Sequence, residues 1–212
     1  MEKAGVKIPC GDFTLEGIWQ FPDNDRHFPA VIICHPHPLH GGNLHNYVVS
    51  SISRELLQHS IAALRFNFRG VGQSGGAFGD GIGEQEDLKS AIEFVLTQKN
   101  VDTNRLGLAG YSFGGGVSVP VAVSDNRIKA LALISPSLDD VDWDLLKTYR
   151  RPKILISGRE DMFFPFSQFE ENFQSVPEPK KLIVIDDADH FWQDFEVTVA
   201  SRVREYFEKT LV

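Results

Sequence analysis

The stretch Leu106-Gly107-Leu108-Ala109-Gly110-Tyr111-Ser112-Phe113-Gly114 decides the predicted fold. Its first four residues form an apolar run typical of a buried strand, and a helical pattern begins after Gly114. G-x-S-x-G between a strand and a helix indicates a tight turn that exposes the serine hydroxyl, although similar strings elsewhere make ordinary turns. This context predicts that Ser112 is a nucleophile. Pro120, about two turns into the following helix, is expected to kink or shorten that helix.

Apolar runs and helical patterns alternate along the rest of the chain. The predicted strands cover residues 30–34, 62–68, 106–109, 129–134, 153–157 and 181–185, after a hairpin of two strands around Gly11-Asp12. The predicted helices cover residues 46–59, 83–98 and 166–173, and a closing helix begins at Phe195. This alternation predicts one α/β domain over residues 1–212, with a mostly parallel sheet of about eight strands, helices on both faces and an N-terminal antiparallel hairpin.

Composition and charge argue against several classes of protein. With 21 basic and 29 acidic residues, the net charge of −8 argues against a general nucleic-acid-binding protein. No apolar run approaches the roughly 20 residues of a membrane helix, and the first residues lack the apolar stretch of a signal peptide. Cys10 and Cys34 match neither a disulfide framework nor a zinc-finger spacing. We therefore expect a cytoplasmic protein without nucleic-acid or membrane partners, and a homo-oligomer is compatible with the sequence.

A nucleophilic serine needs a base and an acid that orients the base. His190 follows a predicted strand, so it is expected at the same edge of the sheet as Ser112. Asp161 follows another strand end and Gly158, in a loop that is able to turn its side chain inward. Asp189 is adjacent to the histidine and is expected to point away from the imidazole. The other candidate acids are Glu160, Asp187 and the pair Asp139-Asp140.

The loop after the strand 30–34 reads His35-Pro36-His37-Pro38-Leu39-His40. Ester hydrolysis by a serine needs N–H donors for the oxyanion, and one of them comes from the residue after the nucleophile, here Phe113. The second donor comes from this early loop. Because proline has no N–H, His37 between two prolines is the predicted second donor.

Two other motifs suggest a metal or a dinucleotide as ligand. The histidine cluster suggests a metal, but no nearby carboxylate completes a set of ligands, so no metal is predicted; its members are His35, His37, His40 and His45. Residues 70–75 match the dinucleotide-binding pattern G-x-G-x-x-G, but no helix begins at the third glycine to receive a phosphate. Arg69, beside this loop, is interpreted as structural.

The chain resembles the small, lidless, dienelactone-hydrolase-like group of α/β serine hydrolases over essentially its whole length. The resemblance rests on residues 34–38, 67–74, 110–114, 158–161 and 189–190. The chain order serine, acid, histidine is also the order of that family. The resemblance implies the α/β-hydrolase fold, a Ser112–Asp161–His190 triad and a reaction without a cofactor. True dienelactone hydrolases have a cysteine where Ser112 stands, so the serine favours an ester or a thioester.

The surroundings of the predicted site are open and aromatic. Where many relatives insert a helical cap, only the short helical pattern 141–149 fits. The aromatic residues that flank the catalytic candidates are Tyr111, Phe113, Phe163, Phe164, Phe191 and Trp192. We predict that Tyr111, Phe163 and Phe191 contact the substrate, and that others of the six belong to the core.

The predicted function is hydrolysis of a small neutral carboxylic ester through a covalent acyl-enzyme. A thioesterase or a peptidase would use the same catalytic residues. From another class, a catalytically silent binding protein on this fold is the alternative. The filled positions of Ser112, Asp161 and His190 favour an enzyme over that alternative.

Overall fold

The computed structural model describes residues 2–23, 26–137, 139–163 and 165–212. The strands are β1 (Glu2–Cys10), β2 (Phe13–Phe21), β3 (Phe28–Cys34), β4 (Ala62–Phe66), β5 (Val101–Tyr111), β6 (Ile128–Ile134), β7 (Lys153–Gly158) and β8 (Lys180–Ile185). The helices are α1 (Tyr47–Gln58), α2 (Ile82–Leu96), α3 (Phe113–Ser124), α4 (Trp143–Leu146), α5 (Phe166–Ser175) and α6 (Glu196–Leu211). A short 3₁₀ helix, Pro38–His40, follows β3.

One sheet of eight strands runs through the molecule in the order β1-β2-β4-β3-β5-β6-β7-β8. β2 pairs antiparallel with both β1 and β4, and every other neighbouring pair is parallel. The hairpin turns at Gly11, whose φ of 55° suits a glycine. The predicted mostly parallel α/β sheet with an antiparallel N-terminal hairpin is confirmed.

The two faces of the sheet bury different helices, because side chains alternate along each strand. Along β3, Val31 and Ile33 pack in the cluster that contains α1 and α6, whereas Ile32 packs in the cluster of α2, α3 and α5. The closing helix turns an apolar residue into the core at every fourth position, namely Val199, Val203, Phe207 and Leu211. This spacing explains why periodicity alone predicted the helix.

Side-chain capping explains where two helices begin. Asn46 accepts hydrogen bonds at Oδ1 from the N–H groups of Val48 (3.0 Å) and Val49 (3.4 Å), so α1 begins at the next residue. Near the start of α2, the carboxylate of Glu84 accepts from the N–H groups of Gly79 (2.9 Å) and Gly81 (2.8 Å). Both contacts satisfy backbone donors that lie at or before a helix start.

Pro120 does not end its helix. α3 continues for 12 residues from Phe113 to Ser124 with Pro120 inside it. The missing backbone hydrogen bond is tolerated because neighbouring positions such as Val119 and Val121 are fully buried, and their packing holds the helix in place. Of the two effects expected of Pro120, a kink or a shortening, the shortening is therefore wrong.

The described part of the segment between β6 and β7, where a cap would be inserted, is short. The described residues there, 136–137 and 139–151, form one helix of four residues, α4. In sheets of this kind, ligands bind beyond the carboxyl ends of the strands.

None of the helices within the described ranges is long and apolar enough to cross a bilayer.

Candidate active site

Ser112 lies on a sharp turn between β5 and α3. Its φ of 51° and ψ of −120° are strained for a residue with a side chain, and its N–H donates to the carbonyl of Ile134 at the end of β6 (2.9 Å). A Cβ at Gly110 would stand 2.4 Å from the carbonyl oxygen of Gly114. The G-x-S-x-G pattern is thus required because two of its residues are in backbone contact across the turn.

Ser112, His190 and Asp161 form a continuous chain of hydrogen bonds. His190 Nε2 lies 3.0 Å from Ser112 Oγ, and His190 Nδ1 lies 2.9 and 3.1 Å from the two carboxylate oxygens of Asp161. Ser112 and His190 are each 8% exposed, and Asp161 is 4% exposed. With Nδ1 protonated toward the carboxylate, Nε2 is left as the acceptor for the serine hydroxyl.

Asp161 is held by the loop that follows β7. Its Oδ1 also accepts from the N–H of Phe163 (3.0 Å), and the N–H of Glu160 donates to the carbonyl of Ala188 (3.0 Å). The second contact joins the loop of the acid to the loop of the histidine. Both bonds fix the carboxylate against the imidazole before a substrate arrives.

The rival acids have other partners or lie at the surface. Asp189 Oδ1 accepts from the N–H groups of Phe191 (2.9 Å) and Trp192 (3.0 Å), so it shapes the loop that carries His190, whose Nδ1 is bonded to Asp161 instead. Glu160, Asp139 and Asp187 are exposed. Asp140 Oδ2 accepts from the hydroxyl of Ser137 (2.6 Å).

Tyr111 lies beneath the site and holds the histidine loop. Its hydroxyl donates to the carbonyl of His190 (2.8 Å), and only 3% of the residue is exposed. Burial raises the pKa of this hydroxyl above its ordinary value, so it remains a donor. So little exposed surface does not support the predicted contact with a substrate. We assign Tyr111 a positioning role.

Two further side chains tether the same loop, and sequence reasoning missed both contacts. The hydroxyl of Tyr47, at the start of α1, donates to the carbonyl of Phe191. The indole Nε1 of the fully buried Trp192 donates to Ser135 Oγ (3.1 Å), at the end of β6. No local pattern signals these contacts, because they join segments distant in the sequence.

The segments that carry the backbone N–H groups of His37 and Phe113 pack against each other beside the turn. A Cβ on Gly114 would stand 2.6 Å from the carbonyl oxygen of Cys34, so the end of β3 abuts the start of α3. The rings of His37 and Phe113 are 4.8 Å apart. No described residue accepts a hydrogen bond from either N–H. Two unpaired donors near a candidate nucleophile are what an oxyanion hole requires.

The loop that follows β3 and carries the histidine cluster is held by internal contacts. His35 Nδ1 donates to the carbonyl of Pro36 (2.6 Å), and His35 Nε2 accepts from the N–H of Phe68 (3.1 Å). Burial lowers the pKa of His35 to about 4, so the ring is neutral. His37 Nδ1 accepts from the N–H of Leu39 (3.2 Å). Among the described residues, no group of three or more His, Cys, Asp or Glu is arranged to hold a metal ion.

The glycine-rich loop after β4 is held by two acidic residues of α2. Arg69 donates through Nη2 (2.8 Å) and Nε (3.0 Å) to the fully buried Asp87, in agreement with a structural role. Glu84 holds the far end of the loop, as described above. Between them, the ring of Phe78 lies 5.3 Å from that of His37 and 5.8 Å from that of Phe113. Sequence reasoning missed the position of Phe78. It also missed the cap at Glu84, although Glu at the third helical position is a recognisable signal.

Phe163 and Phe191 flank the imidazole of His190. Their ring centres lie 4.8 and 5.7 Å from that of His190, and 5.8 Å from each other with perpendicular planes. They are 55% and 50% exposed. Their predicted contact with a substrate therefore has both the surface and the position that it requires. Phe164, the other aromatic residue of this loop, lies outside the described residues.

Comparison with known proteins identifies the family. The family described as "PET hydrolase-like" matches residues 84–207, which is more than half of the chain. The chain belongs to this family. An α/β serine hydrolase homologue from Coxiella burnetii superposes on it with a TM-score of 0.86 at 30% identity, over 97% of each chain.

Two more relatives match most of the chain, and one of them is described as a hydrolase without a lid. An α/β serine hydrolase without lid from Xanthomonas campestris is 29% identical, with a TM-score of 0.86 over 100% of this chain and 96% of its own. An uncharacterised protein of Rickettsia prowazekii is 28% identical over 186 residues, which is 84% of this chain and 78% of the relative. The resemblance to lidless α/β serine hydrolases is confirmed.

Proposed function

We propose that this protein hydrolyses a neutral carboxylic ester through a covalent acyl-enzyme on Ser112. The observation that carries the proposal is the hydrogen-bond chain from Ser112 Oγ through His190 to Asp161, with the serine on a strained turn. A nucleophile, a base within 3.0 Å and an oriented acid are the parts that acyl transfer needs.

Acylation begins when His190 Nε2 takes the proton of Ser112 Oγ, which attacks the carbonyl carbon of the ester. The carbonyl electron pair moves onto the oxygen, and the N–H groups of Phe113 and His37 stabilise this oxyanion. His190 then gives its proton to the leaving oxygen as the bond between carbon and leaving group breaks. The carboxylate of Asp161 stabilises the imidazolium between the two proton transfers.

Deacylation repeats these steps with water as the nucleophile. His190 takes a proton from water, whose oxygen attacks the acyl carbon of the ester on Ser112. The collapse of the second oxyanion breaks the bond to Oγ, and the proton on Nε2 returns to the serine. The reaction as proposed uses no metal or cofactor.

The proposed substrate and compartment follow from the surroundings of the site. The exposed aromatic groups around His190 favour a small neutral ester, and the net charge of −8 argues against a nucleic acid. Cys10 and Cys34 are free and buried, which fits the reducing cytoplasm that we propose as the compartment. The two solved relatives above are described as serine hydrolases, in agreement with the reaction class.

A panel of three leaving-group classes tests the proposed reaction. We expect p-nitrophenyl esters of graded acyl length to be hydrolysed with a higher kcat/KM than acyl-CoA thioesters or peptide anilides. A higher kcat/KM for the thioesters or the anilides would replace the esterase by a thioesterase or a peptidase. Absence of turnover, together with absence of labelling by a fluorophosphonate, would favour the silent binding protein.

Two substitutions of His37, in the loop after β3, are expected to change kcat to different extents. His37→Pro removes the N–H donor, and we expect kcat to fall by roughly 10²–10³-fold, the usual effect of one oxyanion donor. His37→Ala keeps the N–H and loses the ring contacts with Phe113, Phe78 and His40 and the bond from Leu39, so much of the rate should remain. Steady-state kinetics of both variants on one ester measures the difference.

The control for this pair is the structure of the loop, because His37→Pro creates three prolines in a row. Circular dichroism and thermal unfolding must show that both variants remain folded. Equal loss of activity in two folded variants would mean that the imidazole, and not the N–H, carries the role of His37.

A further inference from the structure

The proton path fixes the side of the site on which the leaving group lies. Because His190 Nε2 must protonate the leaving oxygen, that oxygen comes within hydrogen-bond distance of the imidazole. The carbonyl oxygen points instead toward the N–H groups of Phe113 and His37. The alcohol part of the ester therefore lies beside His190, and the acyl part lies away from it.

Two exposed aromatic rings occupy that side. Phe163 is 4.8 Å and Phe191 is 5.7 Å from the ring of His190, and their perpendicular planes form a corner that is open to solvent. A third ring entering this corner meets one face and one edge, the two contacts that aromatic pairs prefer.

The backbone at both rings is held by the residues that build the site. The N–H of Phe163 donates to Asp161 Oδ1 (3.0 Å), and the N–H of Phe191 donates to Asp189 Oδ1 (2.9 Å). The carbonyl of Phe191 accepts from Tyr47. The corner is thus built together with the catalytic geometry.

The charges near the corner oppose an anionic leaving group. Asp189 and Glu160 are exposed within one or two residues of His190 and Asp161. Arg159, the basic side chain of the acid loop, is paired with Asp186. A phosphate-bearing group such as coenzyme A would approach two loops that carry exposed carboxylates and, among their described residues, no unpaired basic side chain.

We propose that Phe163 and Phe191 form a leaving-group subsite that selects an uncharged aromatic alcohol. This inference rests on the proposed ester hydrolysis and adds the direction in which the substrate lies. It predicts that an aromatic ring is favoured on the alcohol side of the ester and gains less from these two residues on the acyl side.

Benzyl acetate and methyl phenylacetate test this direction, because they are isomers that carry one benzyl group on opposite sides of the ester. Each kcat/KM is divided by the rate constant of alkaline hydrolysis of the same ester, which removes the difference in intrinsic reactivity. We expect the normalised value to be higher for benzyl acetate. Acetyl-CoA, with the same acyl group and an anionic leaving group, is expected to be the poorest substrate.

Phe163→Ala and Phe191→Ala test whether these two residues cause the preference for an aromatic leaving group. We expect each change to lower kcat/KM for benzyl acetate by roughly three- to tenfold, the effect of losing one aromatic contact, and to lower it less for methyl phenylacetate. Both side chains are half exposed, so both variants should fold, which thermal unfolding checks. Val197→Ala, at another exposed apolar residue, is the matched control and should change neither substrate.

The possible failures are distinguishable. If wild-type protein hydrolyses neither isomer above the background of Ser112→Ala, the proposed function itself fails. If both isomers are hydrolysed and the phenylalanine variants lower them equally, or lower only methyl phenylacetate, the leaving-group assignment is overturned while the hydrolase remains.

Discussion

Ser112→Ala is expected to lower kcat by roughly 10⁴–10⁶-fold, because no other group on the turn is able to form the acyl-enzyme. His190→Ala should cause a similar loss, since the serine is not activated without the base. The double variant should lose little more, because the two residues act as one unit. Steady-state hydrolysis of an activated ester, with labelling of the active serine by a fluorophosphonate, measures both effects.

Ser118→Ala supplies the matched control for this loss. Ser118 is fully buried in α3, the helix that follows Ser112, and its hydroxyl donates to the carbonyl of Gly114 (2.6 Å). The Ser118→Ala protein should keep fluorophosphonate labelling and most of the rate of ester hydrolysis. The Ser112→Ala protein should lose both, with an unchanged unfolding temperature. Activity of a folded Ser112→Ala protein above about a tenth of wild type would contradict the assignment of Ser112 as the nucleophile.

The features predicted correctly from sequence are those specified by short segments. The turn at Ser112 depends on glycines two residues away, and the closing helix depends on an apolar residue at every fourth position. The edge of the sheet at which Ser112, Asp161 and His190 meet follows from parallel strands alone. Strand alternation and local motifs therefore suffice for the fold and for the placement of the three candidates.

The features that sequence missed depend on contacts between distant segments. Tyr111 precedes the nucleophile, which suggested a substrate contact, yet its hydroxyl reaches a carbonyl 79 residues further along the chain. Tyr47 reaches across 144 residues and Trp192 across 57. Periodicity carries no information on such pairs, because each requires the relative position of two finished elements.

These tethers explain how the histidine loop keeps its shape. Asp187, Trp192 and Asp194 all have positive φ, a conformation that costs free energy in a residue with a side chain. The hydrogen bonds from Tyr111, Tyr47 and Trp192 offset this cost by fixing the loop at three points. The proposed base, His190, is thus held in place by its loop, which is the preorganisation that acyl transfer requires.

Variants of Asp161 and Asp189 distinguish the effect of the charge in the proposed triad from the effect of the shape of the loop that carries His190. Asp161→Asn should lower kcat by roughly 10⁴-fold, because the amide loses the charge that stabilises the imidazolium and no longer fixes the tautomer with Nδ1 protonated. Asp189→Asn keeps Oδ1, which accepts from the N–H groups of Phe191 and Trp192, so a far smaller loss is expected. Both changes preserve size, and kcat for one ester compares them directly.

Asp189→Ala completes the comparison, because it removes the acceptor that the asparagine retains. With two N–H groups left unpaired, the histidine loop should loosen, so Asp189→Ala should impair activity more than Asp189→Asn and lower the unfolding temperature. Asp161→Asn, by contrast, should leave the loop intact and fail in catalysis alone. If Asp189→Asn instead proves the more damaging of the two asparagine variants in folded protein, Asp189 and not Asp161 is the acid that orients His190.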